Sequence, residues 1–455
     1  TGHLAKVFAW RSARAISQIT LALQLEPKAK MLGTVLNFAI PRNTKEAIAL
    51  VSSADFGAHL ETTLFRQLSK NEVDVISKSH DRTSTNPGQL CNWKSKLLYF
   101  AGRALAPITR SQPFALIDPR LGLVRELIVN LRLGQLPNFP LDCDAALNQR
   151  LSELEEAGLA HARSVSHGEY LIREFLRLLP SSLVEGHQTL EDQAVELGWP
   201  SNPRVIFTST RFAFDDVFKL YVSRRVHESQ YWVGQHGNNY FTSLEQSICP
   251  ELETSDKFLS WGYESVNVVP VGQLFRSRIR SHFRSLGVAI VLQGDLPTRT
   301  YCDWAYRQHM YLNAIEKLIA LLSESEIESV VCLSPGTSRE LSNLLYSRLS
   351  GSPGVSISQK PLKKVLKSGL LPLFTFDSTG MLELASKSQP FLVFLPEKLN
   401  HVSKKFVPNY QSLRANGLMA LDPISAHKLV LSNLGALNKR AIKSSLQFFL
   451  VLVLY

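Results

Sequence analysis

From Thr1 to about Asn202 the apolar residues recur mainly at three- and four-residue spacing, which predicts a helix-rich region with Pro-broken loops such as Gln135–Leu141. Within it, Leu147–Ala160 (LNQRLSELEEAGLA) predicts an amphipathic helix. The stretch Asn71–Pro87, crowded with Ser, Thr, Asp and Lys, predicts a mobile surface loop. Its neighbour Lys94–Leu105 mixes basic and apolar residues and suits either a helix end or a lipid-facing patch.

After Pro203 the pattern changes. Arg204–Thr208, Tyr231–Gly234, Lys257–Ser260 and Val268–Val271 predict short strands, with a helix from about Asp215 to Glu228. The basic, irregular segment Gly272–Leu286 predicts a linker, and the pattern then restarts. Strands are predicted at Val288–Leu292, Ser329–Leu333, Leu371–Phe376 and Phe391–Leu395, and helices at Tyr311–Leu322, Ser338–Arg348 and Thr379–Lys387. In the first of these helices Leu312, Ile315, Leu318, Ile319 and Leu322 share one face. Alternating strands and helices predict parallel sheets with crossover helices. The expected fold is α/β, with two Rossmann-like lobes facing a cleft and a helix-rich N-terminal part. The expected division is 1–275 and 276–455, with ligands at the carboxyl ends of the strands.

Composition adds less. With 45% apolar and 20% charged residues in 455, the chain reads as globular and long enough for two domains. The formal net charge of +11 favours anionic partners such as phosphate-bearing donors or anionic lipid, although a charged surface also serves solubility alone. No Lys/Arg run interleaved with aromatics points to nucleic acid. Cys91, Cys143, Cys249, Cys302 and Cys332 are scattered without metal or disulfide spacing, which suggests buried thiols in a reducing compartment and no metal. No signal peptide is read at Thr1, which falls in mid-pattern as though the native start lay upstream. The apolar run Phe448–Tyr455 is shorter than the about 20 residues a membrane span needs.

Four segments could carry chemistry. Thr375–Gly380 (TFDSTG) follows a strand and opens a helix, where backbone N–H groups, Ser378, Thr379 and Gly380 can hold a phosphate, and Glu383 lies one turn on. An ordinary N-cap by Asp377 or Ser378 explains the same residues. Gly234–Tyr240 (GQHGNNY) places Gln235, His236 and Gly237 on a strand-end loop, where a histidine can bind a phosphate or move a proton, or merely close a turn. Asp215 and Asp216 follow another strand and could supply a nucleophile or base, or face the helix dipole. Trp261 and Tyr263 could stack on a base or sugar, or pack internally. No GxGxxG, P-loop, HExxH, GxSxG or kinase signature is present.

In order, RVIFTSTRFAFDDVFKLYVSRRV, VGQHGNNYF, ELETSDKFLSWGY, VVPVGQL, PLFTFDSTGMLELASKSQPFLVFLP and YQSLRANGLMALDP resemble the O-antigen-cluster transferase family, related to retaining bacterial β-Kdo glycosyltransferases (Kdo is an eight-carbon ulosonic acid). The similarity runs from about Leu176 to Pro423, with fainter agreement from Phe114. It implies a GT-B-like fold with the nucleotide held mainly by the second lobe. Ser378, Thr379, Gly380 and Glu383 match the motif that cradles phosphate and ribose, and Gln235, His236 and Gly237 match the first-lobe loop facing the donor. A carboxylate nucleophile falls at Asp215 or Asp216, with Asp215 preferred. The chain departs from the family where Asp377 stands for Asn, and where Asn238, Asn239 and Phe241 replace a Gly-rich QHGG-x-YG. The tail after about Leu437 does not follow the family, nor is its N-terminal strand recognised.

The resulting expectation is a retaining glycosyltransferase moving a sugar, Kdo by resemblance, from a CMP-linked donor to a lipid-linked surface glycan. It needs no cofactor and no metal, and binds no nucleic acid. Its expected place is the cytoplasm, with peripheral contact at the anionic inner membrane face. Two alternatives stand beside it: a catalytically degenerate scaffold, motivated by Asp377 and Phe241, and a sugar-nucleotide epimerase of the same fold.

Overall fold

The computed structural model describes residues 2–28, 30–38, 40–69, 73–80, 100–101, 104–138, 167–184, 186–238, 240–242, 250–273, 287–293, 304–333, 339–349, 351–387, 389–396 and 402–436. By packing, the chain forms two compact units, Thr1–Val233 with Thr254–Asp256, and Gly234–Glu253 with Lys257–Tyr455. The predicted helix at 147–160, most of the 272–286 linker and the 448–455 run lie outside the described residues.

The first unit has the expected helix-rich start and adds to it strands that the spacing did not predict. Strands β1 (Met31–Phe38) and β2 (Val73–His80) pair in parallel from Met31↔Val73 to Phe38↔His80. Part of the segment read as a surface loop is therefore a strand. Its Asp, Ser and Lys residues concealed it, because backbone pairing with β1 decides its state rather than side-chain propensity. The helix Ala54–Ser69 packs on β1 and supplies partners for its outer edge. Thr34 N donates to Thr62 Oγ1 at 2.8 Å, and Leu36 N donates to His59 Nδ1 at 3.1 Å. A strand edge is thus closed by side chains instead of another strand.

Three further strands of this unit, β3 (Phe114–Leu116), β4 (Val205–Thr208) and β5 (Gln230–Gly234), pair in parallel in that order. β3 went unrecognised in the sequence because three residues are too few to show a period. The helix Asp216–Ser223 connects β4 to β5 and buries Val217, Phe218, Tyr221 and Val222. Trp199 meets Phe218 and Tyr221 edge-on, and Tyr221 Oη donates to Pro200 O at 2.7 Å.

The second unit holds the parallel pair β6 (Lys257–Ser260) and β7 (Val268–Pro270). Its main sheet contains β8 (Val288–Val291), β9 (Ser329–Cys332), β10 (Val355–Ser358), β11 (Leu371–Phe374), β12 (Leu392–Phe394) and β13 (Met419–Ala420). The order is β10-β9-β8-β11-β12-β13, with every pairing parallel. Counted within the sheet this is 3-2-1-4-5-6, the doubly wound order of a dinucleotide-binding fold. The strand order reverses between β8 and β11. All four residues of β8 and of β11 are buried, as strands covered on both faces require. The helix Trp304–Glu324 contributes the foreseen face, and Leu312, Ile315, Leu318, Ile319 and Leu322 are all in the core. Cys332 is buried there, and burial pushes its thiol up to about 12. Among the described residues, no helix is long and apolar enough to cross a membrane.

Packing of Ala54–Ser69 on β1 leaves no room at Gly33, where an added Cβ would meet Thr62 Cγ2 at 2.4 Å and Thr62 Cβ at 2.9 Å. Gly33→Ala is expected to destabilise the protein by about 1–3 kcal/mol through overpacking. The check is the chemical-denaturation midpoint: an unchanged midpoint means the helix and strand are not this close.

Candidate functional site

The loop after β5 is built on buried polar contacts. Gln235 is buried and donates through Nε2 to Gly237 O at 2.8 Å, while its Oε1 accepts from Trp261 N at 2.8 Å. Its carbonyl accepts from the Trp261 indole at 2.9 Å. Gln235 and Trp261 therefore brace one another, and Trp261 is buried. The braced loop presents His236, which is exposed, while the hydroxyl of buried Tyr240 lies 2.7 Å from its Nδ1.

The same loop is fastened to the segment after β11. Asn238 N donates to Thr379 Oγ1 at 3.1 Å, and Asn238 Nδ2 donates to Asp377 Oδ1 at 2.6 Å. The Thr242 hydroxyl donates to the other oxygen of Asp377. Asp377 is buried, so its negative charge is turned into the protein and met by two donors. The two departures from the family pattern at Asp377 and Asn238 are thus partners of each other. Phe241 is likewise explained by packing, since it stacks on Tyr263 at 4.2 Å between ring centroids, with Lys405 Nζ 4.4 Å from the Tyr263 centroid. Buried Tyr410 ionises well above its ordinary range, first through burial and then through the nearby Asp377 charge.

Ser378 caps the helix Thr379–Ala385, its Oγ accepting from Gly380 N at 3.1 Å. Gly380 has a packing reason to be glycine: a Cβ there would sit 2.9 Å from the Phe374 ring. Gly237 approaches Thr379 Oγ1 closely, at 3.4 Å from where its Cβ would lie. Glu383 is half-buried on the same helix. The segment stands directly beyond β11, beside β8, at the point where the strand order reverses and such sheets hold their ligands.

In the first unit the two aspartates separate in role. Asp216 is buried and accepts from Thr44 N at 2.9 Å, Ser182 Oγ at 2.7 Å, the Thr44 hydroxyl, and Lys219 Nζ at 3.3 Å. Burial opposes its charge, but Lys219 and the donors of Thr44 and Ser182 prevail and hold its carboxyl below the ordinary range. Asp215 caps the helix instead, with Oδ1 accepting from Phe218 N at 2.9 Å and Oδ2 from Arg211 at 3.2 Å. Burial raises its pKa more than Arg211 lowers it.

Sequence reasoning missed the group around Asp215. Arg211 also reaches Asp118, with Nε 3.6 Å from Oδ2, so one guanidinium bridges carboxylates from the loops after β3 and β4. Asp118 further accepts from the Thr210 hydroxyl and pairs with Arg120 Nε at 3.3 Å. Asp118 and Arg120 both take left-handed backbone, φ 48° and 57°, a conformation uncommon outside glycine and often found where a site constrains the chain. Nearby Glu126 is pushed up to about 7 by burial and by the Asp118 charge. The Asp118–Pro119 pair signals a turn, but the strand before it is only three residues long and shows no period.

Asp216→Ala is expected to cost about 2–3 kcal/mol at neutral pH, below the full value for a broken buried pair because Lys219 keeps some water contact. The native carboxyl titrates below 3.8, so its contribution is present above that value and disappears as pH falls through the lower native pKa. Denaturation of both proteins from pH 7 to 2 should show the gap closing only at the acid end. A gap that is constant with pH would remove the charge from the explanation.

The profile of the LIC12162 family transferase matches residues 16–436 of this chain. Curated proteins provide no significant match. Among solved structures, the chain is similar to Os79 from O. sativa in complex with UDP, at 13% identity and TM-score 0.41 over 80% of this chain and 93% of that one. It is also similar to the Methanocaldococcus jannaschii UDP-GlcNAc 2-epimerase in complex with UDP-GlcNAc and UDP, at 12% identity and TM-score 0.37 over 93% and 98%. The S. aureus MnaA–UDP structure is similar at 10% identity and TM-score 0.37 over 91% and 90%. With nearly its whole length matched by one family, this chain belongs to the LIC12162 family of transferases.

Proposed function

We propose that this transferase is a glycosyltransferase that uses a nucleotide-activated sugar, with CMP as the nucleotide and Kdo as the sugar, and a lipid-linked surface glycan as acceptor. The observation that carries the nucleotide reading is the Asp377–Glu383 segment at the point of strand reversal in the 3-2-1-4-5-6 sheet. There Thr379 accepts from Asn238 and can donate its own hydroxyl hydrogen to a phosphate oxygen. The His236 imidazole, held at Nδ1 by Tyr240, is exposed beside it and suits the donor's phosphate or carboxylate. Gln235, Ser378 and Gly380 act by shaping this surface, through the brace, the cap and the packing described above.

The chemistry is assigned to the carboxylates of the first unit. Asp215 attacks the anomeric carbon, the bond to the donor phosphate breaks, and the nucleotide leaves with that electron pair. The acceptor hydroxyl then displaces Asp215, and two inversions give net retention. Glu126, titrating near 7, takes the acceptor proton. Asp216 stays outside the reaction and holds the helix start in place.

Nucleotide binding is tested by calorimetry with CMP, CDP, UDP and GDP. CMP should bind, and Thr379→Val should weaken it by about 1–3 kcal/mol, the range for a hydrogen bond to a charged group. Binding of UDP alone turns the reading toward the epimerase or another transferase. Thr379 is preferred over Ser378 as the test, because removing the Ser378 cap itself costs about 1 kcal/mol of stability.

The base assignment predicts that kcat rises with pH through about 7 as Glu126 loses its proton. Glu126→Gln should remove that limb and lower kcat by about 10²–10⁴-fold, with CMP affinity unchanged. A preserved acid limb in the variant transfers the role to another group.

A further inference from the structure

The helix Leu123–Arg132 is built inside out. Its Asn130 faces the protein: it is fully buried and donates from Nδ2 to Glu126 O at 2.8 Å, while Gln135 Nε2 donates to Asn130 Oδ1 at 2.9 Å and to Phe114 O at 3.1 Å. Its large apolar residues face outward, with Val124 72%, Leu127 47%, Ile128 43% and Leu131 62% exposed. Positions i, i+3, i+4 and i+7 lie within an arc of about 100° on a helix turning about 100° per residue, so these four form a single continuous stripe. Arg125 and Arg132, also exposed, fall together along one edge of that stripe.

A stable surface helix normally points its apolar side at the core, and scattered exposed leucines need no explanation. Here Asn130 on the opposite side is the residue bonded to the fold, and much of the surface of the four apolar side chains stays outside the core. They remain available to a second phase.

We propose that the outer face of Leu123–Arg132 is a docking surface for an anionic lipid bilayer, with Val124, Leu127, Ile128 and Leu131 entering the headgroup–acyl boundary and Arg125 and Arg132 meeting lipid phosphates. An apolar stripe flanked by arginines is the composition that lies flat at a membrane interface. The net charge of +11 draws the protein toward the same surface. The helix is one ten-residue segment, about 15 Å long, so it seats the protein on a bilayer without crossing it. Its inner face carries Glu126, and so one element would contact the membrane and hold the proposed base. The membrane contact itself does not require the sugar chemistry: vesicle binding can be read with no donor or acceptor present.

The test is flotation of the full chain with vesicles of phosphatidylcholine alone and of phosphatidylcholine containing about 30 mole per cent phosphatidylglycerol, at low and high salt. Binding to the anionic vesicles, weakened by salt, is expected. Leu127→Glu with Leu131→Glu should lower the bound fraction at least about tenfold, because charge on the apolar face is costly at the interface. Arg125→Glu with Arg132→Glu should abolish the preference for anionic lipid. Since all four side chains are exposed, melting temperatures should stay at the wild-type value, which separates lost docking from lost folding. Wild-type protein that does not float, or an apolar-face variant that floats like wild type, overturns the proposal. So does a wild-type dimer in sedimentation that the Leu127/Leu131 variant dissolves without any change in flotation, for then a second copy covers the stripe.

Discussion

A carboxylate withdrawn from water has to be met by donors or by a cation, and each compact unit is organised around one that is. In the first, Asp216 gathers Thr44, Ser182 and Lys219, drawing together three segments far apart in the chain. In the second, Asp377 gathers Asn238 and Thr242 and so carries the His236 loop onto the segment after β11. Removing either charge would leave several donors unsatisfied at once. The loops beside Asp216 and Asp377 are therefore held by buried carboxylates.

This division between holding and acting recurs throughout the candidate site. Gln235 and Trp261 use their polar atoms on each other, and Ser378 spends its oxygen on the helix start. In the second unit these contacts leave His236 exposed and Thr379 half-buried. A fixed scaffold suits transfer chemistry, in which donors must already be aimed where charge develops.

The inverted helix Leu123–Arg132 extends the same logic to a surface. Its buried Asn130 is bonded to Gln135, which reaches the Phe114 carbonyl, and much of the apolar side stays outside the core. The loop that leads into it contains Asp118 and Arg120 in left-handed backbone. The same turn carries the Asp118 carboxylate that meets Arg211.

Where apolar residues were numerous and continuous, the sequence alone was enough. β8, β9, β11 and β12, the buried face of Trp304–Glu324, and the α/β alternation after Pro203 all follow from periodicity, because burial on both faces of a parallel sheet leaves few other compositions. The family pattern likewise located the loops after β5 and β11. Hydrogen-bonding partners were another matter. Asp215 and Asp216 are adjacent and chemically alike in the sequence, and the distant Thr44 and Ser182 on Asp216, with Arg211 one turn away on Asp215, distinguish them. The departures at Asp377 and Asn238 looked like two separate defects until folding placed their side chains 2.6 Å apart. Polar β2 and three-residue β3 carry too little pattern to be read, and exist because a neighbouring strand completes their backbone bonds. The outward face of Leu123–Arg132 was equally beyond reach. Periodicity reports that a helix has two sides, while only packing decides which of them meets the protein.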